Sequence, residues 1–193
     1  SGKLVTTNRT LDHAAFLAAE VRKIGRNAIP IGEADISGWA PKCGLIINCT
    51  TKGQGGLRKL PRGEVTTLEP FSSLAPADPP VLRDSFGSEA EIQRRWTALA
   101  GAEIEANNKA SLAIAASIPA AVGFYDLIYY PEETVFLRHG KQTGHPTMNG
   151  KAMIINQAVI ALCKHVCSAD LRARGIDNVE TSREIVEVMY GAW

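Results

Sequence analysis

The amino-acid sequence predicts an α/β fold built on a doubly wound parallel sheet. Residues 3–31 have the order strand, helix, strand, in which two β-rich runs flank a run with helical spacing. Residues 44–50 (GLIINCT) are almost wholly apolar, which is typical of a strand buried on both faces of a parallel sheet. Residues 124–130 (FYDLIYY) form a further β-rich run that ends before Pro131, since proline cannot continue a central ladder. Alternating strands and helices favour a doubly wound layer.

The N-terminal unit has recognisable start and stop signals. Residues 3–7 and 27–31 are predicted strands, and residues 11–24 are the predicted helix between them. Thr10 is a good N-cap residue and Gly25 is suited to end the helix. The apolar residues of this helix at helical spacing are Ala14, Phe16, Leu17, Val21 and Ile24.

The middle of the chain changes character twice. Residues 52–80 are rich in Gly, Pro and Ser and predict loop or irregular structure. Residues 88–117 are rich in Ala and Glu and predict a helix, with a possible break near Gly101. Its expected inward positions are Ile92, Trp96, Leu99, Ile104 and Leu112.

Three further helices are predicted towards the end of the chain. Residues 133–140 predict a short helix, and residues 151–166 predict a long amphipathic one. Residues 181–190 predict a final helix, with Thr181 as its cap and Glu184 completing a capping box.

Composition excludes several classes of function. Apolar residues make up 45% of the 193 residues and charged residues 21%, as in ordinary soluble globular proteins. The formal net charge of +1 gives no field that would attract nucleic acid or an anionic membrane. The longest uncharged run, residues 110–125, is shorter than the roughly 20 residues of a membrane helix. We therefore expect neither a nucleic-acid partner nor a membrane.

The four cysteines give no sign of a metal centre. Cys43, Cys49, Cys163 and Cys167 match neither a zinc-site spacing nor a thioredoxin-type motif. Free thiols suit a reducing compartment, and the first ten residues do not have the shape of a signal peptide. We expect a cytoplasmic protein without a metal site.

The first candidate site is Asn8-Arg9-Thr10, which lies between a predicted strand and a predicted helix. Ligands of doubly wound folds bind at the carboxyl ends of strands. A guanidinium there suits a phosphate group, and the helix N-terminus adds positive potential. The tripeptide therefore fits the 2′-phosphate of an adenine ribose. The alternative is a surface arginine beside an N-cap threonine.

The second candidate site follows the most apolar strand, in the run from Asn48 to Gly53. The small hydroxyl residues Thr50 and Thr51 would let a flat cofactor approach the backbone. The alternative is an ordinary strand-end turn. The nearby glycines lack the spacing of either standard phosphate-binding fingerprint, so we interpret them as turn residues.

Two more candidate sites lie further along the chain. Tyr129, near the end of the strand at 124–130, is placed to offer its hydroxyl to a polar ligand, or to pack under a loop. Gly150, Met153 and Gln157 would present three groups on one face at the start of a helix. The alternative for Met153 is a methionine stripe in the core.

Taken in order, the four motifs resemble those of the shikimate dehydrogenase family. They are N-R-T (8–10), N-x-T-x-x-G (48–53), D-x-x-Y-x-P-x-x-T (126–134) and G-x-x-M-x-x-x-Q (150–157). Four motifs in the same order are far more specific than any one of them. The resemblance covers about residues 3–56 and 124–170 and is poor between these ranges.

This resemblance implies a Rossmann-like, NADP-binding domain over residues 1–193. It implies NADPH-dependent reduction of 3-dehydroshikimate to shikimate, a step of aromatic amino acid biosynthesis. The adenosine 2′-phosphate would be held by Asn8, Arg9 and Thr10, and the adenosine side would be bordered by Thr50 and Thr51. The nicotinamide would lie near Gly150 and Met153, and the hydroxy-acid substrate would reach Tyr129 and Gln157.

The sequence departs from the family pattern in three respects. The family's catalytic lysine and aspartate lie in an N-terminal substrate domain, to which no segment here is similar, so we assign no catalytic residue. The first strand and its glycine-rich turn would precede Lys3 and are absent from this sequence. Residues 57–123 are much longer than the family's connection. The complete prediction is thus α/β, a partial doubly wound (Rossmann-like) parallel sheet with a helical insertion, and a homo-oligomer or a companion N-terminal segment as partner.

Two other hypotheses remain at this point. The chain could be a non-catalytic relative, a nucleotide-binding or assembly module. It could also be part of a related dehydrogenase for quinate or another substrate, such as a methanopterin-linked one.

Overall fold

The computed structural model describes residues 2–83, 86–176 and 178–192. The chain forms two compact units, one up to Met148 and one from Asn149 onward. The elements of the first unit are β1 (Lys3–Thr7), α1 (Leu11–Lys23), β2 (Asn27–Ile31), α2 (Ile36–Trp39), β3 (Leu45–Asn48), β4 (Arg58–Lys59), β5 (Val65–Thr66), α3 (Glu89–Ser117), β6 (Gly123–Asp126), α4 (Val135–Gln142) and β7 (Thr147–Met148). Short 3₁₀ turns flank α2 at Glu33–Asp35 and Ala40–Lys42.

The strands form three separate sheets. β1 and β2 pair in parallel over their full length, and β3, β6 and β7 form a parallel sheet in the order β3-β6-β7. β4 and β5 form a small antiparallel pair. Parallel strands connected by helices confirm the predicted α/β class, with the sheet present in part.

One hydrophobic cluster joins the two parallel sheets. Val5 of β1, Ile29 of β2 and Ile46 of β3 all pack against it, and its buried members include Phe124 and Phe136. The rings of Phe124 and Phe136 stack with centroids 4.9 Å apart. The two sheets therefore present one face to a shared core.

The opposite face of β3 is open, whereas α1 packs on that face of β1 and β2, where Thr6 and Ala28 are buried and the Thr6 hydroxyl donates to the Ala14 carbonyl. Leu45 and Ile47 of β3 are 54% and 47% exposed, and Leu4 of β1 is exposed as well. The expectation that residues 44–50 are buried on both faces is therefore wrong. On α1, Ala14 and Ala18 are buried, but Phe16 is 67% exposed.

The long helix α3 begins with a capping box, in which the side chains of Ser88 and Glu91 each form a hydrogen bond with the backbone of the other residue. It differs from the prediction in its continuity and in its buried face. The helix runs unbroken through Gly101. Leu99 and Leu112, which were expected to point inward, are exposed. The buried stripe of the helix is Ile92, Trp96, Ala100, Asn107, Ser111 and Ala115.

Polar residues on the buried stripe of α3 form hydrogen bonds with the irregular segment at residues 52–80. The Asn107 amide accepts from the Ser72 backbone N–H at 2.8 Å and donates to the carbonyls of Ser72 and Ala75. The Ser111 hydroxyl lies 2.6 Å from Ser72 Oγ and 2.8 Å from His139 Nδ1 on α4. Residues 57–123 are thus largely integrated into the first unit, since Leu74 and Ala115 also belong to the shared cluster.

The second unit is helical. It contains α5 (Lys151–Ala161), a π-helical turn (Leu162–Val166), α6 (Ser168–Ala173) and α7 (Asn178–Ala192). Its core is formed by Ile155, Val159 and Cys163, packed by residues of α6 and α7. The helix predicted for residues 151–166 begins where expected, but its regular part ends at Ala161. Thr181 lies inside α7, so the predicted capping box is wrong.

Among the described residues, no helix combines the length and the apolar character that crossing a membrane requires.

Ile46 and Ile47 provide a direct test of the one-sided core. They are adjacent residues of the same type on one strand, so their intrinsic β-propensities cancel in a comparison. We expect Ile46→Ala to lower the free energy of unfolding by about 2–3 kcal/mol, because it removes packing from the shared cluster. Ile47→Ala should cost about 0.5 kcal/mol, as at an ordinary surface position. Urea unfolding of both variants measures the difference, and equal costs would contradict the one-sided core.

Candidate functional site

Two neighbouring strands end in polar residues that bond each other. Asn48 closes β3 and Asp126 closes β6, and the parallel register places them side by side. The Asn48 amide donates to Asp126 Oδ1 at 3.0 Å, and the Thr134 hydroxyl donates to Asp126 Oδ2 at 2.7 Å. The backbone N–H of Ile128 also donates to Oδ1. This network fixes the two loops at the carboxyl edge of the sheet.

Asp126 is fully buried. Burial raises the pKa of its carboxyl above the ordinary value, while the hydrogen bonds from Thr134, Ile128 and Asn48 oppose the shift. Thr134 has a second role, since its hydroxyl caps α4 by accepting from the Leu137 backbone N–H. Asp126 therefore links β3, β6 and the start of α4.

Hydrogen bonds of Thr50 fix the conformation of the loop after β3. Asn48 Oδ1 accepts from the backbone N–H of Thr50 at 3.0 Å and from its hydroxyl at 2.7 Å. The same hydroxyl accepts from the Lys52 backbone N–H. At Gly53, φ is +99° and an added Cβ would lie 3.0 Å from the Cβ of Thr134, so glycine is required there. The spacing N-x-T-x-x-G thus has a local physical cause.

These loops enclose a cleft of about 390 Å³. Gly55 allows the Tyr130 ring to lie close to the backbone of the loop after β3, because a Cβ at this position would lie 2.7 Å from that ring. Three residues predicted to bind cofactor or substrate, Thr50, Thr51 and Tyr129, all line this cleft. The complete lining is Thr50, Thr51, Gln54, Gly55, Leu127, Ile128, Tyr129 and Tyr130.

A buried ion pair connects this loop to the other parallel sheet. Lys52 is 7% exposed, and its ammonium lies 2.7 Å from Glu33 Oε1 and 3.0 Å from the Ala75 carbonyl. Glu33 follows β2 and Lys52 follows β3, so the carboxyl ends of both sheets lie on the same side of the unit. Neither residue was singled out from the sequence, because nothing local indicates that a lysine in a loop will be buried.

The Asn8-Arg9-Thr10 loop lies at the carboxyl end of β1, which is parallel to β2 and so ends at this same edge. Asn8 Oδ1 accepts from the Thr10 backbone N–H at 2.9 Å, which shapes the turn. Thr10 occupies the N-cap position of α1 but makes no side-chain capping bond. Arg9 is exposed and forms no ion pair with any carboxylate that the structure describes. The loop does not line the cleft.

The remaining predicted residues belong to the second unit. Gly150 is the N-cap residue of α5, and Met153 and Gln157 lie on its first two turns. At this spacing, Gly150, Met153 and Gln157 fall along one side of the helix start, and their predicted ligand contacts remain a prediction. In the parts of the chain that the structure describes, no group of three or more His, Cys, Asp or Glu side chains is arranged to hold a metal ion.

A parallel α/β sheet with polar loops and a cleft at the carboxyl ends of its strands is a partial Rossmann-like fold. In comparisons with known proteins, a short stretch of the chain is 58% identical over 36 residues to a shikimate dehydrogenase (NADP(+)) of Desulforamulus reducens. A stretch is 49% identical over 37 residues to a shikimate dehydrogenase (NADP(+)) of Caldanaerobacter subterraneus subsp. tengcongensis. Each match covers 19% of this chain, and the chain spans only 12% and 13% of the lengths of these relatives. No protein-family model matches the chain.

The Lys52–Glu33 pair predicts a large asymmetry between single and double variants. We expect Lys52→Met to lower the free energy of unfolding by about 3–5 kcal/mol, because it leaves the Glu33 carboxylate buried without its partner. Lys52→Met combined with Glu33→Gln should recover part of that loss. Lys23→Met, which breaks the exposed pair with Glu20, is the control and should change stability by less than about 1 kcal/mol. Equal small effects at Lys52 and Lys23 in urea unfolding would contradict a buried pair.

The raised pKa of Asp126 predicts a pH dependence of stability. Because the folded-state pKa lies above the ordinary 3.8, the stabilising contribution is fully present below that pH and is lost as the pH rises through the folded-state pKa. Relative to Asp126→Asn, which does not titrate, the wild-type chain should therefore lose stability over this window and then level off. Urea unfolding of both chains from about pH 3 to about pH 8 measures the difference. A difference that rises with pH would show that hydrogen bonding outweighs burial.

Proposed function

We propose that the chain is the NADP-binding part of a shikimate dehydrogenase-like oxidoreductase, which reduces 3-dehydroshikimate to shikimate with NADPH. The observation that carries the proposal is the arrangement of the first three motifs. The N-R-T loop follows β1, on the side of the first unit where the N-x-T-x-x-G and D-x-x-Y-x-P-x-x-T motifs form the cleft. The short matches to two shikimate dehydrogenases support the same class.

The cofactor side of the proposal depends on Arg9. Its guanidinium is exposed at a strand end, has no carboxylate partner among the described residues, and precedes the N-terminus of α1. These features fit a 2′-phosphate, which takes two parallel hydrogen bonds from a guanidinium. Asn8 and Thr10 would complete this subsite, and Thr50 and Thr51 would border the adenosine. The cofactor, when bound, supplies the hydride.

The substrate side is assigned to hydroxyl and amide groups. Tyr129 lines the cleft, and we assign it to the hydroxy acid. Gln157 keeps the substrate role that the family resemblance implies for it. Gly150 and Met153 would lie near the nicotinamide. We propose that this chain binds and orients the ligands through the hydroxyl and amide groups that line the cleft. We assign no residue of it to the proton at the reacting oxygen.

We also propose that one further parallel strand, with its glycine-rich turn, belongs between β1 and β3. Among the described strands, β1 pairs only with β2 and β3 pairs only with β6, although both β1 and β3 pack on the shared cluster. A strand bonded to both would unite the two sheets in the order expected of a doubly wound fold. The exposed Leu45 and Ile47 would then have a neighbour on the open face. That strand would come from a companion segment of polypeptide.

Arg9→Ala tests the 2′-phosphate subsite. We expect the variant to bind NADP more weakly by about 1–3 kcal/mol, through loss of a charged hydrogen-bond donor, and to bind NAD almost unchanged. Heteronuclear NMR titration of each chain with NADP and with NAD measures the two affinities and detects even weak binding. The matched control is Arg26→Ala, an exposed arginine immediately before β2 and so at the opposite edge.

Equal losses for NADP and NAD at Arg9 would count against the 2′-phosphate role. A chain that responds to neither dinucleotide would count against the proposed function as a whole, and would favour an assembly module without nucleotide.

A further inference from the structure

Arg58 provides a second guanidinium beside the cleft, and it comes from the segment that no motif covers. It lies on β4, where it pairs with Thr66 of β5. Its Nη1 donates to the Thr51 hydroxyl at 3.0 Å, and its Nη2 donates to Gln54 Oε1 at 2.6 Å. Thr51 and Gln54 both line the cleft, so the guanidinium is fastened to the cleft wall.

The charge of this guanidinium is not neutralised by the protein. Both of its hydrogen-bond partners are uncharged, and no ion pair in the described parts of the chain involves Arg58. A guanidinium carries five N–H donors in a planar fork, of which two are used here. The remaining donors suit the oxygens of a carboxylate or phosphate.

The charge of Arg58 stands beside a cleft whose lining residues are uncharged. None of the eight residues that line the cleft has a charged side chain. An anionic ligand in this cleft would therefore meet hydroxyl, amide and apolar groups on its walls, and the Arg58 guanidinium beside Thr51 and Gln54. The half-buried position and the two existing bonds hold Arg58 in place, so little side-chain entropy is lost when an anion binds.

We propose that Arg58 forms an oxyanion subsite at the rim of the cleft, which takes a carboxylate or phosphate group of the ligand. The identity of the ligand, a hydroxy-acid substrate or a dinucleotide, rests on the proposed function. The subsite itself does not, since it follows from the geometry of Arg58, Thr51 and Gln54. Residues 57–123 would then contribute directly to binding rather than only to packing.

The test is an anion titration of the full chain, followed by NMR of the arginine Nε–H groups. The probes are inorganic phosphate, shikimate and the uncharged methyl ester of shikimate. We expect Arg58→Gln to weaken binding of shikimate, of phosphate, or of both by about tenfold, and to leave the methyl ester unaffected. Arg62→Gln is the matched control, because Arg62 is an exposed arginine of the same short hairpin.

The pattern of losses identifies the source of the anion. A loss confined to shikimate assigns the subsite to a substrate carboxylate, and a loss confined to phosphate assigns it to a cofactor phosphate. Arg58→Lys keeps the charge but not the fork, and should show an intermediate loss. The subsite can also be tested in the wild-type chain, where the result does not depend on whether a variant folds. Phosphate or shikimate should shift the Arg58 Nε–H signal at a lower concentration than is needed to shift the Arg62 Nε–H signal.

Equal anion affinities in the Arg58→Gln, Arg62→Gln and wild-type chains would overturn the proposal. So would an Arg58 Nε–H signal that moves no earlier than that of Arg62. Neither result depends on Arg9, so a failed dinucleotide test at Arg9 and a failed anion test at Arg58 are distinguishable.

Discussion

The buried pair of Lys52 and Glu33 connects the two parallel sheets at the side of the first unit where the candidate site lies. Two charges removed from water cost several kcal/mol each, and only close geometry with additional hydrogen bonds offsets that cost. Both conditions hold here, because the ammonium also donates to the Ala75 carbonyl. One contact therefore joins the end of β2, the loop after β3 and the irregular segment that precedes α3. It places the Arg9 loop and the cleft on one edge, although β1 and β3 do not pair.

A second constraint acts within the β3–β6 sheet. Asn48 and Asp126 are 78 positions apart in sequence, and a direct hydrogen bond joins their side chains. Each then organises its own loop, Asn48 through Thr50 and Asp126 through Thr134. The motifs N-x-T-x-x-G and D-x-x-Y-x-P-x-x-T are thus two halves of one buried network. This explains in physical terms why the two motifs occur together: Asn48, Asp126 and Thr134 are buried in the network, while Thr50 and Tyr129 line the cleft.

The sequence predicts most elements because their signals are local. The strands at 3–7 and 27–31 match the structure residue for residue, since β-rich runs bounded by turn residues specify them without help from distant contacts. The inward face of α3 was missed at Asn107 and Ser111, because their burial depends on partners 28 to 39 positions away. Lys52, Glu33 and Arg58 were missed for the same reason. A charged loop residue is normally solvated, and only the tertiary structure shows which one is buried or fastened to a cleft.

The electrostatics of the candidate site follow from these placements. The cleft walls are uncharged, and the one carboxyl beneath them, that of Asp126, is fully buried with its pKa raised by burial. A negative charge held close under the cleft would repel an anionic ligand. Hydrogen bonds from Asn48, Thr134 and the Ile128 backbone disperse that charge, and protonation is made easier by burial. The cations stand apart from it, Arg58 at the rim and Arg9 at the end of β1. Under the proposed function, an uncharged wall with the Arg58 guanidinium beside it would let an anionic ligand keep its reacting part on hydroxyl and amide groups while its charge is met by Arg58.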